Sequence, residues 1–293
     1  MTEGKFEPCS IMFVPADSER FVMSAHTRGA DVICLDLEDS IAPSAKAAAR
    51  TALARGVAHL HAHGCVALVR INHDPALLAA DVAASVSSGA DGVVLPKAEA
   101  PEQLARLAAD LALEEQRCSR SSTRLLMMGI IETPKGLVRA ADIAQSTPRL
   151  AALGFGADDF ATAMGIAPLQ EAMTHPVQAM AIAAASAGLH AVGLPGSVGG
   201  FSDMPAFRNL AVAARTLGLG GSFCIHPAQV PVLNEVFGGT DAERAEAAEI
   251  VAAFDIALAQ GKASIALHGR MIDIPVASRA RRLLGRRKGA VKD

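Results

Sequence analysis

Eight short apolar runs, each followed by a longer stretch with helical spacing, are the feature that most constrains this fold. Nearly every position within a run is apolar, which is typical of parallel strands covered on both faces. Eight strand–helix units within 293 residues predict a closed (β/α)₈ barrel, the TIM barrel of the α/β class. An open doubly wound sheet is the structural alternative. The runs are residues 10–14, 32–35, 66–71, 92–95, 125–131, 150–155, 190–194 and 221–225.

The chain continues beyond the eighth run into a C-terminal helical extension. Apolar spacing predicts helices over residues 227–237 and 241–260, followed by a loop and a short basic helix. The glycines at 238 and 239 interrupt the pattern, and Thr240 or Asp241 is suited to cap the helix that follows. We therefore expect a barrel domain over residues 1–237 and an extension over residues 238–293.

Composition excludes several classes of function. The formal charge of −3 and the absence of Trp and Tyr argue against nucleic acid as a partner. Glycines, prolines and histidines interrupt the least charged stretch, residues 172–202, so it predicts a buried helix and strand rather than a membrane span. The five cysteines have no CxxC spacing and the N-terminus has no signal-peptide pattern, which together predict reduced thiols and a cytoplasmic protein.

Polar side chains follow six of the eight runs, where the functional groups of a parallel barrel collect. Carboxylates dominate, and two cations stand among them. The second run ends in Asp36, Glu38 and Asp39, the third in Arg70 and Asn72, and the fourth in Pro96 and Lys97. Glu132 and Thr133 end the fifth, Gly156, Ala157, Asp158 and Asp159 end the sixth, and His226 and Pro227 end the eighth.

Two of these carboxylates, Glu132 and Asp159, follow consecutive strands and are suited to one hard cation. Mg²⁺ takes oxygen ligands and typically uses one or two carboxylates. The alternative is that Asp158 or Asp159 caps the next helix, a frequent role of Asp. The residue pattern alone leaves both open.

The guanidinium of Arg70 is suited to a carboxylate or to a developing oxyanion, because its planar fork donates two parallel hydrogen bonds. Its alternative role is structural, as an ion-pair partner of Glu38 or Asp39. His59, His61 and His63 lie on one predicted helix, where we expect them to face solvent, so a zinc site is less favoured. No GxSxG, P-loop or dinucleotide motif occurs between a strand and a helix.

A series of motifs resembles the citrate lyase β-subunit family, which includes malyl-CoA and citramalyl-CoA lyases. The motifs occur in the family's order over nearly the whole chain, and jointly they are specific. They are FVPADSERF at 13–21, GAD at 29–31, LDLEDS at 35–40, VRIN at 69–72, LPK at 95–97, IET at 131–133, GFGADDF at 154–160, IHP at 225–227 and GRMIDIP at 269–275.

This resemblance implies Mg²⁺, with Mn²⁺ as a possible substitute, held by Glu132 and Asp159. It implies that Arg70 contacts the oxo-acid portion, and that Asp273 is supplied by a neighbouring subunit as the proton donor or acceptor. The extension would then pack on a neighbour in a homotrimer or hexamer. Glu38 and Asp39 would hold waters or orient Arg70. The remaining candidates for contacts with acyl-CoA or oxo acid are Arg20, Pro96, Lys97, Gly156, Ala157, Ile225, His226 and Pro227.

The expected activity is a Mg²⁺-dependent carbon–carbon lyase that cleaves or forms a β-hydroxyacyl-CoA, with a 2-oxo acid as the second product. The alternatives are a metal-dependent aldolase for a free 4-hydroxy-2-oxo acid and a non-catalytic subunit of a citrate lyase complex. Three departures from the family pattern concern CoA recognition. Ser24 and Ser222 stand where members commonly have Lys, and Gly193 where many have Asp. Lys46, Arg20, Arg28 or the basic C-terminal tail would then have to supply the cations.

Overall fold

A parallel sheet of eight strands forms the centre of the molecule, in a computed structural model that describes residues 6–120 and 124–286. The strand order is β8-β1-β2-β3-β4-β5-β6-β7, and an isolated bridge from Val192 to Gly221 joins β7 to the start of β8. The predicted TIM barrel is confirmed. The strands are β1 (Ser10–Pro15), β2 (Val32–Asp36), β3 (Val66–Arg70), β4 (Gly92–Leu95), β5 (Leu126–Ile131), β6 (Leu150–Phe155), β7 (His190–Gly193) and β8 (Ser222–Cys224).

Helices connect the strands and cover the outside of the barrel. Pro occupies the first turn of several of them, where its missing N–H costs nothing. The helices are α1 (Glu19–Ser24), α2 (Lys46–Ala62), α3 (Pro75–Ser88), α4 (Pro101–Arg117), α5 (Pro134–Val138), α6 (Ala140–Ala144), α7 (Ala157–Met164), α8 (Gln170–Ser186), α9 (Met204–Thr216) and α10 (Gln229–Gly238). Short 3₁₀ turns at Ala25–Arg28 and Pro43–Ala45 precede β2 and α2.

Two apolar layers hold the barrel together, because successive strand residues point to opposite faces. The larger layer lies between the strands and the helices, and the smaller fills the barrel interior. Phe223 of β8 lies in the interior, and a Cβ on Gly154 would come within 2.5 Å of its ring. The interior of the barrel is therefore packed, and it supports the strand ends rather than forming a channel.

The extension has a small core of its own. It consists of α11 (Asp241–Ala259), the antiparallel hairpin of β9 (Ser264–Leu267) and β10 (Arg270–Asp273), and α12 (Ile274–Gly285). Phe254, Ile272 and Ala277 are buried among its elements. Thr240 caps α11 in a capping box with Glu243, as one of the two predicted alternatives. The hairpin was not predicted, because its strands are short and half-exposed and give little apolar signal.

Three further predictions from the sequence concern membrane-spanning helices, the cysteines and the basic C-terminal tail. Among the described helices, none is both long enough and apolar enough to cross a bilayer. Cys9, Cys34 and Cys224 are buried thiols. Of the basic tail, Arg287, Lys288 and Lys292 lie outside the described residues.

His190, at the start of β7, makes the stability of the fold sensitive to acid. Burial lowers the pKa of this imidazole from 6.5 to about 4, and Nε2 lies 2.9 Å from the Pro8 carbonyl oxygen. Between these pH values the unfolded chain binds a proton that the folded chain excludes, so stability falls as the pH drops from 6.5 to about 4. We expect this loss to approach about 3 kcal/mol, and His190→Gln to remove most of it in urea unfolding at pH 7 and pH 4.5.

The exposed His61 provides the control, since His61→Gln leaves the buried ring in place. A His190→Gln protein that lost as much stability in acid as the wild type would contradict the assignment.

Candidate active site

The carboxyl ends of β2 and β3 carry a clamped guanidinium. Asp36 and Arg70 are the last residues of these two strands and stand opposite each other in the register. Arg70 donates from Nε and Nη2 to the two oxygens of Asp36, at 2.6 and 2.7 Å. Its guanidinium also lies 4.5 Å from the centre of the Phe13 ring. This bidentate geometry, together with the stacking, fixes the orientation of Arg70.

Asp36 and Arg70 each stabilise the charged form of the other. Burial alone raises the pKa of the Asp36 carboxyl, but the hydrogen bonds from Arg70 and Ser40 outweigh it and the pKa is lowered. Burial likewise lowers the pKa of Arg70, and the bonds to Asp36 reverse that effect. Both groups are therefore charged at neutral pH. The sequence places Asp36 at a strand end but assigns it no role and does not identify it as the partner of Arg70, although its position opposite Arg70 could have revealed this pair.

Glu38 connects the clamp to the next strand end. Its Oε2 lies 3.1 Å from Nη1 of Arg70, and its Oε1 accepts a hydrogen bond of 2.8 Å from Lys97 Nζ. Burial raises the pKa of Glu38, while Arg70 and Lys97 act in the opposite direction. Asp39 is exposed and lies 3.7 Å from Nη1 of Arg70. Arg70 therefore forms the ion pairs with Glu38 and Asp39 that the structural alternative predicted, and it also pairs with Asp36.

The predicted metal ligands, Glu132 and Asp159, line one cavity at the carboxyl end of the barrel. Glu132 follows β5 and is 3% exposed, while Asp159 lies half-buried in the first turn of α7. Burial, then the charges of Asp159 and Glu38, raise the pKa of Glu132 to about 8. Within residues 6–120 and 124–286, neither carboxylate has an ion-pair partner within 4 Å. Neither Asp158 nor Asp159 caps α7, so that alternative is wrong.

Two backbone features shape the space around Glu132. Lys97 has a positive φ of 48°, a conformation that costs a residue with a side chain of order 1–3 kcal/mol, and its N–H donates to Glu132 Oε2 at 3.0 Å. On the other side, a Cβ on Gly156 would lie 2.6 Å from Cγ of Glu132. Glu132 thus lies between the N–H of Lys97, whose backbone conformation is strained, and Gly156, where there is no room for a side chain.

Apolar side chains form the wall of the cavity, which has a volume of about 330 Å³. That volume accommodates a small acid and an ion, so a larger substrate has to extend into solvent. The wall partly excludes water, which strengthens the electrostatic interactions at its polar floor. Its apolar members are Phe13, Ile130, Phe155, Leu194, Val198, Phe223 and Ile225.

The other predicted site residues lie at different distances from this cavity. Gly156, Ala157 and Ile225 line it, whereas Pro96 is buried behind Lys97. His226 is exposed next to Ile225 and stacks on Phe201, with ring centroids 4.9 Å apart. Pro227 follows it and is partly buried. Arg20 is exposed on α1, where its guanidinium lies over the ring of Phe21.

Asp273 does not contribute to the cavity of its own chain. None of the cavity-lining residues in the described part of the chain comes from the extension. Asp273 instead caps α12, where its carboxylate accepts a hydrogen bond of 3.1 Å from the Val276 N–H. If Asp273 has a role in the chemistry, a different chain has to provide it.

The part of the chain that matches a known protein family is the barrel. Residues 9–227, from the start of β1 to the end of β8 and its loop, match the HpcH/HpaI aldolase/citrate lyase family. The chain belongs to that family. It is a lyase, and the resemblance found in the sequence motifs is confirmed.

Individual relatives match along most of the chain. An L-malyl-CoA/beta-methylmalyl-CoA lyase of Rhodobacter capsulatus is 35% identical, over 89% of this chain and 87% of the relative. The citrate lyase subunit beta of Escherichia coli K12 is 30% identical, over 94% and 92%. The crystal structure of CitE from Mycobacterium tuberculosis with magnesium, acetoacetate and coenzyme A is 28% identical, with a TM-score of 0.73 over 98% of this chain and 100% of that one.

A substitution at Gly156 tests whether the position of Glu132 matters for Mg²⁺ binding. We expect Gly156→Ala to weaken Mg²⁺ binding about tenfold or more, because the new Cβ displaces the Glu132 carboxylate. Isothermal titration with MgCl₂ measures this. Gly200→Ala is the matched control, since a Cβ at Gly200 meets no atom within 4 Å. Equal Mg²⁺ affinity in Gly156→Ala and the wild type would show that Glu132 tolerates the displacement or is not a ligand.

Proposed function

We propose that this protein is a Mg²⁺-dependent carbon–carbon lyase that cleaves or forms a β-hydroxyacyl-CoA, with an acyl-CoA and a 2-oxo acid as the other side of the reaction. The observation that carries the proposal is the pair Glu132 and Asp159, two carboxylates that line one cavity beside the clamped Arg70. The names of the malyl-CoA and citrate lyase relatives support the substrate class.

The residues present fit a hard divalent cation. Glu132 is buried with a carboxylate that has one backbone donor, and Asp159 raises its pKa further by repulsion. The cationic groups nearby, Arg70 and Lys97, are already paired with Asp36 and Glu38. A divalent cation between Glu132 and Asp159 offsets this repulsion, and oxygen donors are the ligands that Mg²⁺ prefers. Mn²⁺ shares that preference and can replace it.

Each residue of the candidate site has a separate role in the cleavage. Magnesium, when bound, would supply Lewis-acid polarisation of the substrate oxygens. Glu132 and Asp159 would hold it in place. In cleavage the substrate hydroxyl loses its proton to solvent, and the carbon–carbon bond then breaks as this oxygen forms the oxo group. Arg70 would donate from Nη1 to the negatively charged oxygen that precedes the break, while Asp36 keeps its other nitrogens oriented. Lys97 and Glu38 hold the strand ends together around this donor.

Asp273 of a neighbouring subunit completes the reaction in this proposal. Breaking the carbon–carbon bond leaves an enolate on the acyl-CoA, and its carbon has to take a proton. Asp273 is half-buried on the extension, at the end of β10, and within residues 6–120 and 124–286 no residue of the extension lines the cavity. A homotrimer or a hexamer, in which the extension of one subunit covers the barrel of another, brings this carboxylate to the enolate.

The CoA portion enters over Ile225 and His226. Ile225 is 47% exposed and lines the cavity, and the stacked pair of His226 and Phe201 lies beside it. Lys46 is not available for the phosphates, because its Nζ donates to the Leu37 and Glu38 carbonyl oxygens and to Asn72. Arg20 remains exposed and suited to that role.

Two alternatives share the same barrel. A metal-dependent aldolase would use the same floor of the cavity on a free 4-hydroxy-2-oxo acid. A non-catalytic subunit of a larger lyase complex has no use for the strained Lys97 or for the repulsion between Glu132 and Asp159. The cost of these features favours an active enzyme over such a subunit.

The activity is tested by mixing acetyl-CoA or propionyl-CoA with glyoxylate, pyruvate or oxaloacetate, and reading the products by mass spectrometry. We expect a β-hydroxyacyl-CoA with Mg²⁺ and none with EDTA. Glu132→Gln and Asp159→Asn should lower kcat by about 10² or more, since each removes a charged ligand. Asp142→Asn, at an exposed position on α6 that does not line the cavity, is the control and should retain most activity.

Cleavage of a free 4-hydroxy-2-oxo acid without any turnover of CoA esters would favour the aldolase. Equal activity of the wild type and Glu132→Gln would contradict the metal assignment.

The neighbouring-subunit role of Asp273 is tested by complementation. Asp273→Asn keeps the cap of α12, because Asn is as good an N-cap as Asp, but it removes the carboxylate. We expect Asp273→Asn and Glu132→Gln to be inactive alone and to regain about a quarter of wild-type activity after random 1:1 co-assembly, because a quarter of the sites then combine two intact residues. Co-assembled protein that stays inactive, with mixed oligomers verified by mass spectrometry, would refute a contribution from a neighbour.

A further inference from the structure

Three histidines meet on the side of the barrel opposite the cavity. His26 lies in the 3₁₀ turn Ala25–Arg28, which leads into the start of β2. His59 is in the last turn of α2 and His63 follows its end, just before β3. The chain enters β2 and β3 here, so these residues lie at the amino-terminal face. The expectation that the α2 histidines face solvent is wrong for His59, which is half-buried, and right for His61 and His63.

The three side chains, which we call the histidine cluster, have the spacing of metal ligands. One nitrogen from each lies within 4.8 Å of the others, and His59 Nε2 is 3.2 Å from His26 Nδ1. Nitrogens bound at 2.0–2.1 Å to a tetrahedral ion are about 3.3 Å apart. One pair already has this separation, and the third nitrogen reaches it with a small side-chain rotation.

The hydrogen bond of His63 leaves one of its ring nitrogens available for a metal. Its Nδ1 lies 2.9 Å from the His59 carbonyl oxygen, and since a carbonyl only accepts, Nδ1 carries the hydrogen. Nε2 is then the unprotonated nitrogen. A ring N–H donated to a backbone carbonyl is the usual support of a metal-binding histidine. His59 lies in the last turn of α2 and His63, four residues later, is the residue that ends it, a spacing that resembles the i, i+4 pair of histidines on metal-binding helices.

The surroundings of the histidine cluster are prepared for a cation. The rings of His26 and His63 stack with centroids 3.9 Å apart, so part of the ordering cost has been met before any ligand binds. The carboxyl end of α2 directs its carbonyl dipoles toward this position, which favours positive charge. In the metal-free protein His59 Nε2 has the Met23 carbonyl oxygen at 2.9 Å as its hydrogen-bond acceptor. An ion has to displace that hydrogen.

We propose that His26, His59 and His63 bind one zinc-type transition-metal ion at the amino-terminal face of the barrel, separate from the hard-cation site at the cavity. Three imidazoles without a carboxylate suit Zn²⁺, Co²⁺, Ni²⁺ or Cu²⁺ and not Mg²⁺. The ion joins the turn before β2 to the end of α2. Because the amino-terminal face of a TIM barrel serves stability, we assign this site a structural role.

The test uses untagged protein that carries Glu132→Gln and Asp159→Asn, so that zinc cannot bind at the cavity. Isothermal titration with ZnCl₂ is expected to give one ion per chain, and Zn²⁺ is expected to raise the melting temperature. His63→Ala, at an exposed position, should weaken binding about tenfold or more. Co²⁺ provides a second readout, since tetrahedral nitrogen ligands give visible absorption bands that His63→Ala should abolish.

His61→Ala is the matched control, because this exposed histidine on the same helix contacts Asp91 at 3.0 Å instead of the histidine cluster. It should bind Zn²⁺ as tightly as its parent. His26→Ala tests the ligand from the other segment. In the otherwise wild-type enzyme, His63→Ala should leave Mg²⁺-dependent turnover unchanged. Equal Zn²⁺ affinity in His63→Ala and its parent, or equal losses in His61→Ala and His63→Ala, would overturn the proposal.

Discussion

The burial of Glu132 beside a second carboxylate, Asp159, is the constraint on which the functional face depends. Glu132 is almost fully buried, and its pKa of about 8 reflects burial first and the charge of Asp159 second. An apolar replacement would remove this cost without disturbing the barrel. The proposed cation offsets this cost, and the glycine at 156 leaves room for the Glu132 side chain.

Barrel closure is what makes the charged groups meet. Asp36 and Arg70 pair because β2 and β3 run parallel in a fixed register, and a shift by one residue would turn one of them to the other face. The packed interior, with Phe223 against Gly154, maintains that register beneath them. The orientation of Arg70 thus depends on the packing of the barrel interior as well as on its direct partner Asp36.

The sequence predicted the strands and the position of Glu132 and Asp159 at the strand ends, because both leave local signals, namely continuous apolar runs and polar residues just after them. Contacts across elements leave no such signal. Asp36 was overlooked as the partner of Arg70 in favour of nearer sequence neighbours, Glu38 and Asp39. The β9–β10 hairpin was missed because half-exposed strands lack an apolar run. His26 is 33 residues from His59, so only folding brings them together.

The two ends of the barrel differ in the ligands that they offer, and under the two proposals this difference would let one chain separate two cations. Carboxylate oxygens at the cavity favour a hard ion that exchanges water and substrate, whereas imidazoles at the opposite face favour a softer ion that stays bound. His59 and His63 lie at the carboxyl end of α2, where the chain returns to the start of a strand. Glu132 and Asp159 follow β5 and β6 at the other end of the strands, so the barrel separates the two sets of donors. An ion at the histidine cluster can therefore stabilise the start of β2 and β3 without competing for Glu132, because strand direction places the two sets of donors on opposite faces.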